Sequence, residues 1–397
     1  MNRKIKYGII RTIAGMVICF MFFYVLSCKK SGTITSPIVS KTFYSWNKFV
    51  MGADLSYVNQ VQDYNGVYKD SNTVKDPFVI FANHGANTVR VRLWHNPQWM
   101  LPYTNNHLYS DINDVEKTIQ RAKAQGMATC LDLHYSDTWT DPSNQAVPAA
   151  WSGLSLATLK DSLYKYTLNV LNELNSKNLV PEFIQLGNEI NNGMLFPVGK
   201  VTNNDWAQLG ELLNSAIYAV RFFSLTASVK PKIILHVAGL ENADWWAGNI
   251  ITNGKVNDFD ILGISWYYFW SSVTVMTDIS GNIASLKSKY NKAVMIVETA
   301  CPWTKEFADS YNNVVSGDVA MTGYEVSKDG QYKLMKDLTQ QVINGGGTGV
   351  IYWEPAWITS GLKTPWGTGS AWENNAFFDF SGNALPAMDF MNFAYHF

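Results

Sequence analysis

The chain predicts an α/β fold, a single (β/α)8 TIM barrel with elongated βα loops. Eight short runs rich in β-branched and apolar residues recur from residue 49 onward, and helix-period segments separate them. Ionisable and aromatic residues gather at the C-terminal ends of those runs, where a barrel enzyme keeps its chemistry.

The runs span 49–54, 88–94, 127–134, 183–189, 232–237, 261–267, 293–298 and 349–354. They are nearly continuous in apolar residues, as parallel strands covered on both faces should be. Between them, Ile112, Val115, Ile119 and Ala122 form one helical stripe. Leu156, Leu159, Leu163, Tyr166, Val170 and Leu174 form another. Asn83-His84-Gly85 and Ala124-Gln125-Gly126 stop helices just ahead of the second and third runs, the glycine supplying the left-handed turn. An open doubly wound sheet seldom needs eight strands, and no G-x-G-x-x-G follows the first run. Asn344-Gly345-Gly346-Gly347 precedes the eighth run, on the face opposite the chemistry, and reads as a helix-to-strand turn. There is no internal repeat beyond the βα unit and no boundary for a second domain.

The segment ahead of the barrel has another character. Arg3, Lys4, Lys6 and Arg11 precede an apolar stretch over 12–26, short for a membrane span and suited to a signal sequence. It ends Val25-Leu26-Ser27-Cys28, which resembles a bacterial lipobox. The organisation expected is a lipoprotein signal peptide over 1–27, a lipidated Cys28 with a small polar tether over 28–45, and a catalytic domain over 46–397. Removal of Cys19 and lipidation of Cys28 leave Cys130 and Cys301, which suit neither a disulfide framework nor a metal site. The expected location is the bacterial cell envelope, lipid-anchored at the outer-membrane surface.

Charge is balanced, 31 basic residues against 32 acidic, so no polyanion-seeking surface exists and nucleic acid is not an expected partner. Fifteen tryptophans and an aromatic share of 14% offer flat faces for the C–H sides of sugar rings, although any single one of them can be core.

The run ends bring together Asp54, Arg92, Trp94, His134, Asn188, Glu189, His236, Trp266, Tyr267, Glu298, Trp353 and Glu354. Burying so many charged and polar groups is costly unless they line a polar pocket. Glu189 and Glu298, on different strands, make the pair that retaining glycosidic hydrolysis requires. One carboxylic acid must protonate the leaving oxygen, and one carboxylate must attack the anomeric carbon, so their environments must differ. Asn188 is placed to donate to a sugar 2-hydroxyl, which assigns Glu189 as acid/base and Glu298 as nucleophile. Arg92 is expected to hold Glu298 ionised and Tyr267 to orient it. Trp353 is expected beneath the cleaved sugar and Glu354 in a supporting position. Trp94, Trp139, Trp303 and Trp357 divide between cleft wall and core.

Several segments carry a resemblance. Gly52-Ala53-Asp54-Leu55-Ser56, Val89-Arg90-Val91-Arg92-Leu93-Trp94-His95-Asn96-Pro97 and Leu131-Asp132-Leu133-His134-Tyr135-Ser136-Asp137-Thr138-Trp139 are similar to glycoside hydrolase family 53. So are Gln185-Leu186-Gly187-Asn188-Glu189-Ile190, Val297-Glu298-Thr299-Ala300-Cys301-Pro302-Trp303-Thr304 and Tyr352-Trp353-Glu354-Pro355-Ala356-Trp357. The resemblance, over roughly 46–395, implies arabinogalactan endo-β-1,4-galactanase activity with acid/base and nucleophile at Glu189 and Glu298. The substrate-binding set expected is Asp54, Arg92, Trp94, His134, Asp137, Asn188, His236, Tyr267, Trp303 and Trp353. Some bacterial members of that family hold calcium after the seventh strand. Here the stretch Lys305-Glu306-Phe307-Ala308-Asp309-Ser310-Tyr311-Asn312-Asn313 lacks the closely spaced Asp pair and His, so no metal and no other cofactor is expected. Asp309 and Asn312 are the residues that would ligate one. The residues alone leave β-mannan, β-glucan and a non-catalytic glycan-binding lipoprotein as alternatives to galactan cleavage; two retained glutamates argue against the last. The partners expected are a polysaccharide and, through the lipid, a membrane; the protein is expected to be a monomer.

Overall fold

Eight parallel strands close into one barrel: β1 (Val50–Asp54), β2 (Thr88–Leu93), β3 (Ala128–Leu133), β4 (Phe183–Leu186), β5 (Lys232–Ala238), β6 (Ile261–Ser265), β7 (Ala293–Glu298) and β8 (Gly349–Tyr352). They pair in chain order, and β8 closes on β1 through Val50↔Gly349 to Ala53↔Tyr352. The computed structural model describes residues 47–397 apart from residue 318; the expected signal peptide, Cys28 and the whole tether lie outside the described residues. Among the described residues no helix is long and apolar enough to cross a membrane.

The connecting helices are α1 (Val58–Asp63), α2 (Pro77–Asn83), α3 (Ile112–Ala124), α4 (Leu156–Ser176), α5 (Ala207–Phe223), α6 (Leu240–Thr252), α7 (Asp278–Tyr290) and α8 (Lys328–Asn344). Side chains that accept orphan N–H groups start several of them: Asp76 for α2, Asp111 for α3, Ser155 for α4 and Ser327 for α8. The stripes on α3 and α4 fall on the buried faces. The Asn344-to-Gly347 stretch is the turn from α8 into β8, as its position implies. No α-helix follows β8. The chain closes instead with a 3-10 segment, Pro386–Asn392, packed on α8.

Several strands end earlier than their apolar runs suggest, and two of them do so at residues of positive φ. β4 stops at Leu186 because Gly187 (φ 84°) and Glu189 (φ 48°) leave extended geometry. β8 stops at Tyr352, with Glu354 also at φ 48°. Such a conformation is uncommon outside glycine and turns the side chain off the strand line into the barrel mouth.

Inside the barrel a floor of Val50, Cys130, Phe183, Ile234, Ile261, Met295, Val297 and Ile351 is almost solvent-free. Every barrel strand contributes to it except β2, which carries Arg90 and Arg92, both buried, instead. Cys130 and Cys301 are both free and buried.

The two helix-ending glycines separate two causes of glycine preference. Gly85 (φ 96°) would bring a Cβ within 2.4 Å of Asn392 Oδ1 and 2.8 Å of the Met391 carbonyl, whereas Gly126 (φ 73°) has open space there. Gly126→Ala should therefore cost only the left-handed backbone term, about 1–2 kcal/mol. Gly85→Ala should cost more and disturb the Pro386–Asn392 segment. Urea unfolding of both variants checks this; equal losses would mean that the C-terminal segment yields freely.

Candidate active site

Arg90 stands above the apolar floor and organises everything over it. Its Nη1 donates to Asp54 Oδ2 on β1 (2.7 Å), and its Nη2 reaches Asp132 Oδ2 on β3 (2.8 Å). The same Nη2 lies 2.8 Å from Glu298 Oε1 and 3.0 Å from Asn188 Oδ1, while Nε donates to Gln185 Oε1. One cation thus joins β1, β3, β4 and β7. Burial would raise the Asp132 carboxyl, but Arg90 and His134 hold it below its ordinary range.

The expected ion pair between Arg92 and Glu298 is not formed; Arg90 takes that place. Arg92 is directed to Glu354 Oε1 at 2.6 Å, within a cage of Tyr57, Trp94 and Trp139 whose ring centroids lie 4.2–4.9 Å from the guanidinium carbon. Arg90 and Arg92 share strand parity, so both enter the barrel, at successive heights. That parity was the available signal for Arg90.

Glu189 and Glu298 meet across the mouth. A carboxylate oxygen of each and an imidazole nitrogen of His236 all lie within 4.8 Å of one another. A register shift between Ile264 and Ser265 sets Ser265 opposite Glu298. Its hydroxyl donates to Glu189 Oε1 at 2.6 Å and lies 3.4 Å from Glu298 Oε2. Tyr267 donates to Glu298 Oε2 at 3.0 Å, as expected. His236, which burial keeps neutral, receives the Glu189 N–H and the Gln185 amide at Nδ1. The same Nδ1 lies 3.0 Å from Asn188 Oδ1, and Nε2 lies 2.8 Å from Ser265 Oγ.

The two carboxyls are therefore served unequally. Burial raises both. Against it, Glu298 has Arg90 and the Tyr267 hydroxyl, whereas Glu189 has chiefly Ser265 and is raised further by the charge of Glu298. Glu298 is the member that ionises, and Glu189 the member that keeps a proton.

The cavity above them, about 490 Å³, is lined by Asp54, Arg92, His134, Asn188, Tyr267 and Trp353 of the expected set, together with both glutamates. Tyr57, Arg90, Asp132, Trp270, Trp366 and Trp372 also line it and were not singled out from the sequence. Trp139 and Trp357 belong to its wall. Trp353 meets Trp139 and Trp372 edge-on, at 6.0 and 4.8 Å. Four of the expected binding residues lie elsewhere. Trp94 is fully buried behind Arg92, and His236 is sealed beneath Glu189. Asp137 accepts the Ala149 N–H, and Trp303 donates to the Glu373 carbonyl and packs on Phe380. Both ring nitrogens of His134 are engaged, by Asp132 and by the Thr140 hydroxyl. Asn188 is braced by Arg90 and by the Thr140 carbonyl.

In the loop after β7, Asp309 accepts the Tyr311 N–H at Oδ1, and the Ser370 N–H and the Thr359 hydroxyl at Oδ2. Asn312 faces the cleft.

Arg90→Met would strand three buried carboxylates, at a cost of about 3–5 kcal/mol at neutral pH. The pH dependence follows from Asp132, whose depressed folded value adds stability above the ordinary carboxylate pKa of about 4 and loses it as pH falls through that lower value. The variant lacks that contribution, so its deficit should narrow in acid. Urea unfolding at neutral and acid pH reads it; a deficit independent of pH would assign the loss to packing.

Comparison with known proteins agrees with this geometry. A profile of Glycosyl hydrolase family 53 matches residues 50–391. The chain is 43% identical over 352 residues to the arabinogalactan endo-beta-1,4-galactanase of Cellvibrio japonicus, covering 87% of this chain and 91% of that one. It is 34% identical over 338 residues to arabinogalactan endo-beta-1,4-galactanase A of Emericella nidulans, covering 83% and 89%. The Ignisphaera aggregans GH53 catalytic domain superposes with a TM-score of 0.79 at 33% identity, over 88% of this chain and 97% of that one. A fungal beta-1,4-galactanase structure gives 0.73 at 31% identity, over 86% and 98%. Fold and sequence similarity agree, and the chain belongs to glycosyl hydrolase family 53.

Proposed function

We propose that this chain is an endo-acting retaining glycoside hydrolase that cleaves β-1,4-galactan, with Glu189 as acid/base and Glu298 as nucleophile. The observation that carries the reading is the pair itself. Two carboxyls within 4.8 Å leave no room for a water between nucleophile and sugar, the spacing of double displacement rather than inversion. The galactan preference rests on the galactanases to which the chain is similar.

In the first step Glu189 gives its proton to the glycosidic oxygen as the C1–O bond breaks, and a Glu298 oxygen bonds C1. Arg90, on Oε1, and Tyr267, on Oε2, keep the Glu298 carboxylate ionised until then. Ester formation removes the charge that raises Glu189, so its pKa falls and it becomes a base. It then takes a proton from water, whose oxygen attacks C1; the ester bond breaks and Glu298 leaves as a carboxylate. The product keeps the β configuration.

Glu298→Ala should lose galactan hydrolysis to about 1% or less. Azide should restore turnover and yield the α-glycosyl azide. For the wild type, kcat/KM should be bell-shaped, its acid limb from Glu298 and its basic limb from Glu189, displaced above the ordinary glutamate range. Glu189→Gln should lose the basic limb on substrates with activated leaving groups. Assays on purified β-1,4-galactan, β-mannan and β-glucan, with the product anomer read by NMR, check substrate and mechanism together. Inverted product, or preference for mannan or glucan, would overturn the reading.

The N-terminal residues support a second part of the proposal: a lipid on Cys28 holds the barrel at the outer surface, where polymer is shortened before import. Cys28→Ala should shift the protein from membrane to soluble fractions with unchanged specific activity. A wild-type protein found wholly soluble would refute the anchor.

A further inference from the structure

We infer that Trp245, on α6, is the stacking platform for the leaving-group side of the polysaccharide; this rests on the reading of Glu189 as the acid. A second cavity of about 430 Å³ adjoins the first and shares Glu189, Tyr267 and Trp270 with it. Asn192, Gly239 and Trp245 line its far side, and Glu298 is not among its walls. The sugar whose C1 is attacked must sit over the nucleophile, in the cavity that both glutamates line. The sugar that departs must lie beyond the acid that protonates its oxygen. The second cavity is the space that meets only the acid.

Its polar walls are occupied with one another. Asn191 exchanges two hydrogen bonds with the Ala238 backbone, Asn192 donates to the Pro142 carbonyl, and Ser271 donates to Glu241 across the groove. The indole of Trp245 joins Trp270 and Tyr267 as the aromatic faces of this cavity. Trp245 is 51% exposed, braced edge-on by the buried Trp206 at 5.2 Å.

The distribution of exposed tryptophans points the same way. Among the described residues only Trp245, Trp270 and Trp366 are largely exposed, at 51, 59 and 60%, and all three line these two cavities. A β-galactosyl unit, whose axial O4 leaves the H3, H4 and H5 side continuous, offers the matching C–H surface. Trp366 lines the first cavity, Trp245 the second, and Trp270 both.

The test compares β-1,4-galactan with an aryl β-1,4-galactobioside, whose leaving group places no sugar in the second cavity. In Trp245→Ala, kcat/KM on galactan should fall about tenfold relative to that on the aryl substrate, the scale of one aromatic contact. Trp245→Phe should restore most of the ratio, and transfer to added galactobiose should decline in the Ala variant. An equal fall on both substrates, or no change in the ratio, would overturn the role of Trp245 while leaving the activity standing. A wild-type enzyme inert on both would instead refute the functional reading beneath it.

Discussion

One buried cation against three buried carboxylates is the constraint on which the upper half of this barrel depends. Arg90 can neutralise only one of Asp54, Asp132 and Glu298, although it touches all three. The neighbouring arginine gives no relief, because Arg92 is matched to Glu354. Adding a fourth carboxylate at Glu189 without a proton would deepen an imbalance that a low-dielectric interior penalises heavily. The proton settles where the compensation is least, on Glu189, whose main donor is a serine hydroxyl. The two carboxyls are thus distinguished by unequal access to a single guanidinium, not by any difference between the two side chains.

The backbone that holds this arrangement is unusual where it must be. Glu189 sits at positive φ after a glycine that also does, and Ser265 stands opposite Glu298 because β6 slips by one residue against β7. Regular strand geometry would have pointed these side chains along alternating pleats, at strand-end spacing. Local irregularity, supported by a rigid closed sheet, brings carboxyl, hydroxyl and imidazole within hydrogen-bond reach. The sequence of bonds from Gln185 through His236 and Ser265 to Glu189 fixes the position of each group.

Above the charged layer the molecule turns aromatic. Trp139, Trp353 and Trp372 meet edge-on along the cavity wall, and the exposed indoles lie further out. A polymer in this cleft would meet most of the charge around the glutamate pair, with Asp141 and Glu241 further out, and aromatic faces along much of the rest. That division suits a substrate whose hydroxyls can stay hydrated while its ring faces are buried.

The closed barrel, its strand order and the two glutamates were legible in the sequence, because continuous apolar runs and helical stripes are local consequences of burial on both faces of a strand. Glu298 is the final residue of its apolar run and of β7 alike, and Tyr267 was matched to the correct oxygen-bearing partner. What the chain order could not convey was height within the barrel. Arg90 and Arg92 have the same parity on one strand, and only the stagger of the closed sheet decides which reaches Glu298 and which is caged by Trp94, Tyr57 and Trp139. The same holds for Trp303 and Asp137, which share motifs with site residues yet point into loops, and for Trp245, which stands on a helix with no motif around it. Secondary structure follows from neighbours in sequence; membership of a site follows from distances between strands, which closure of the barrel alone sets.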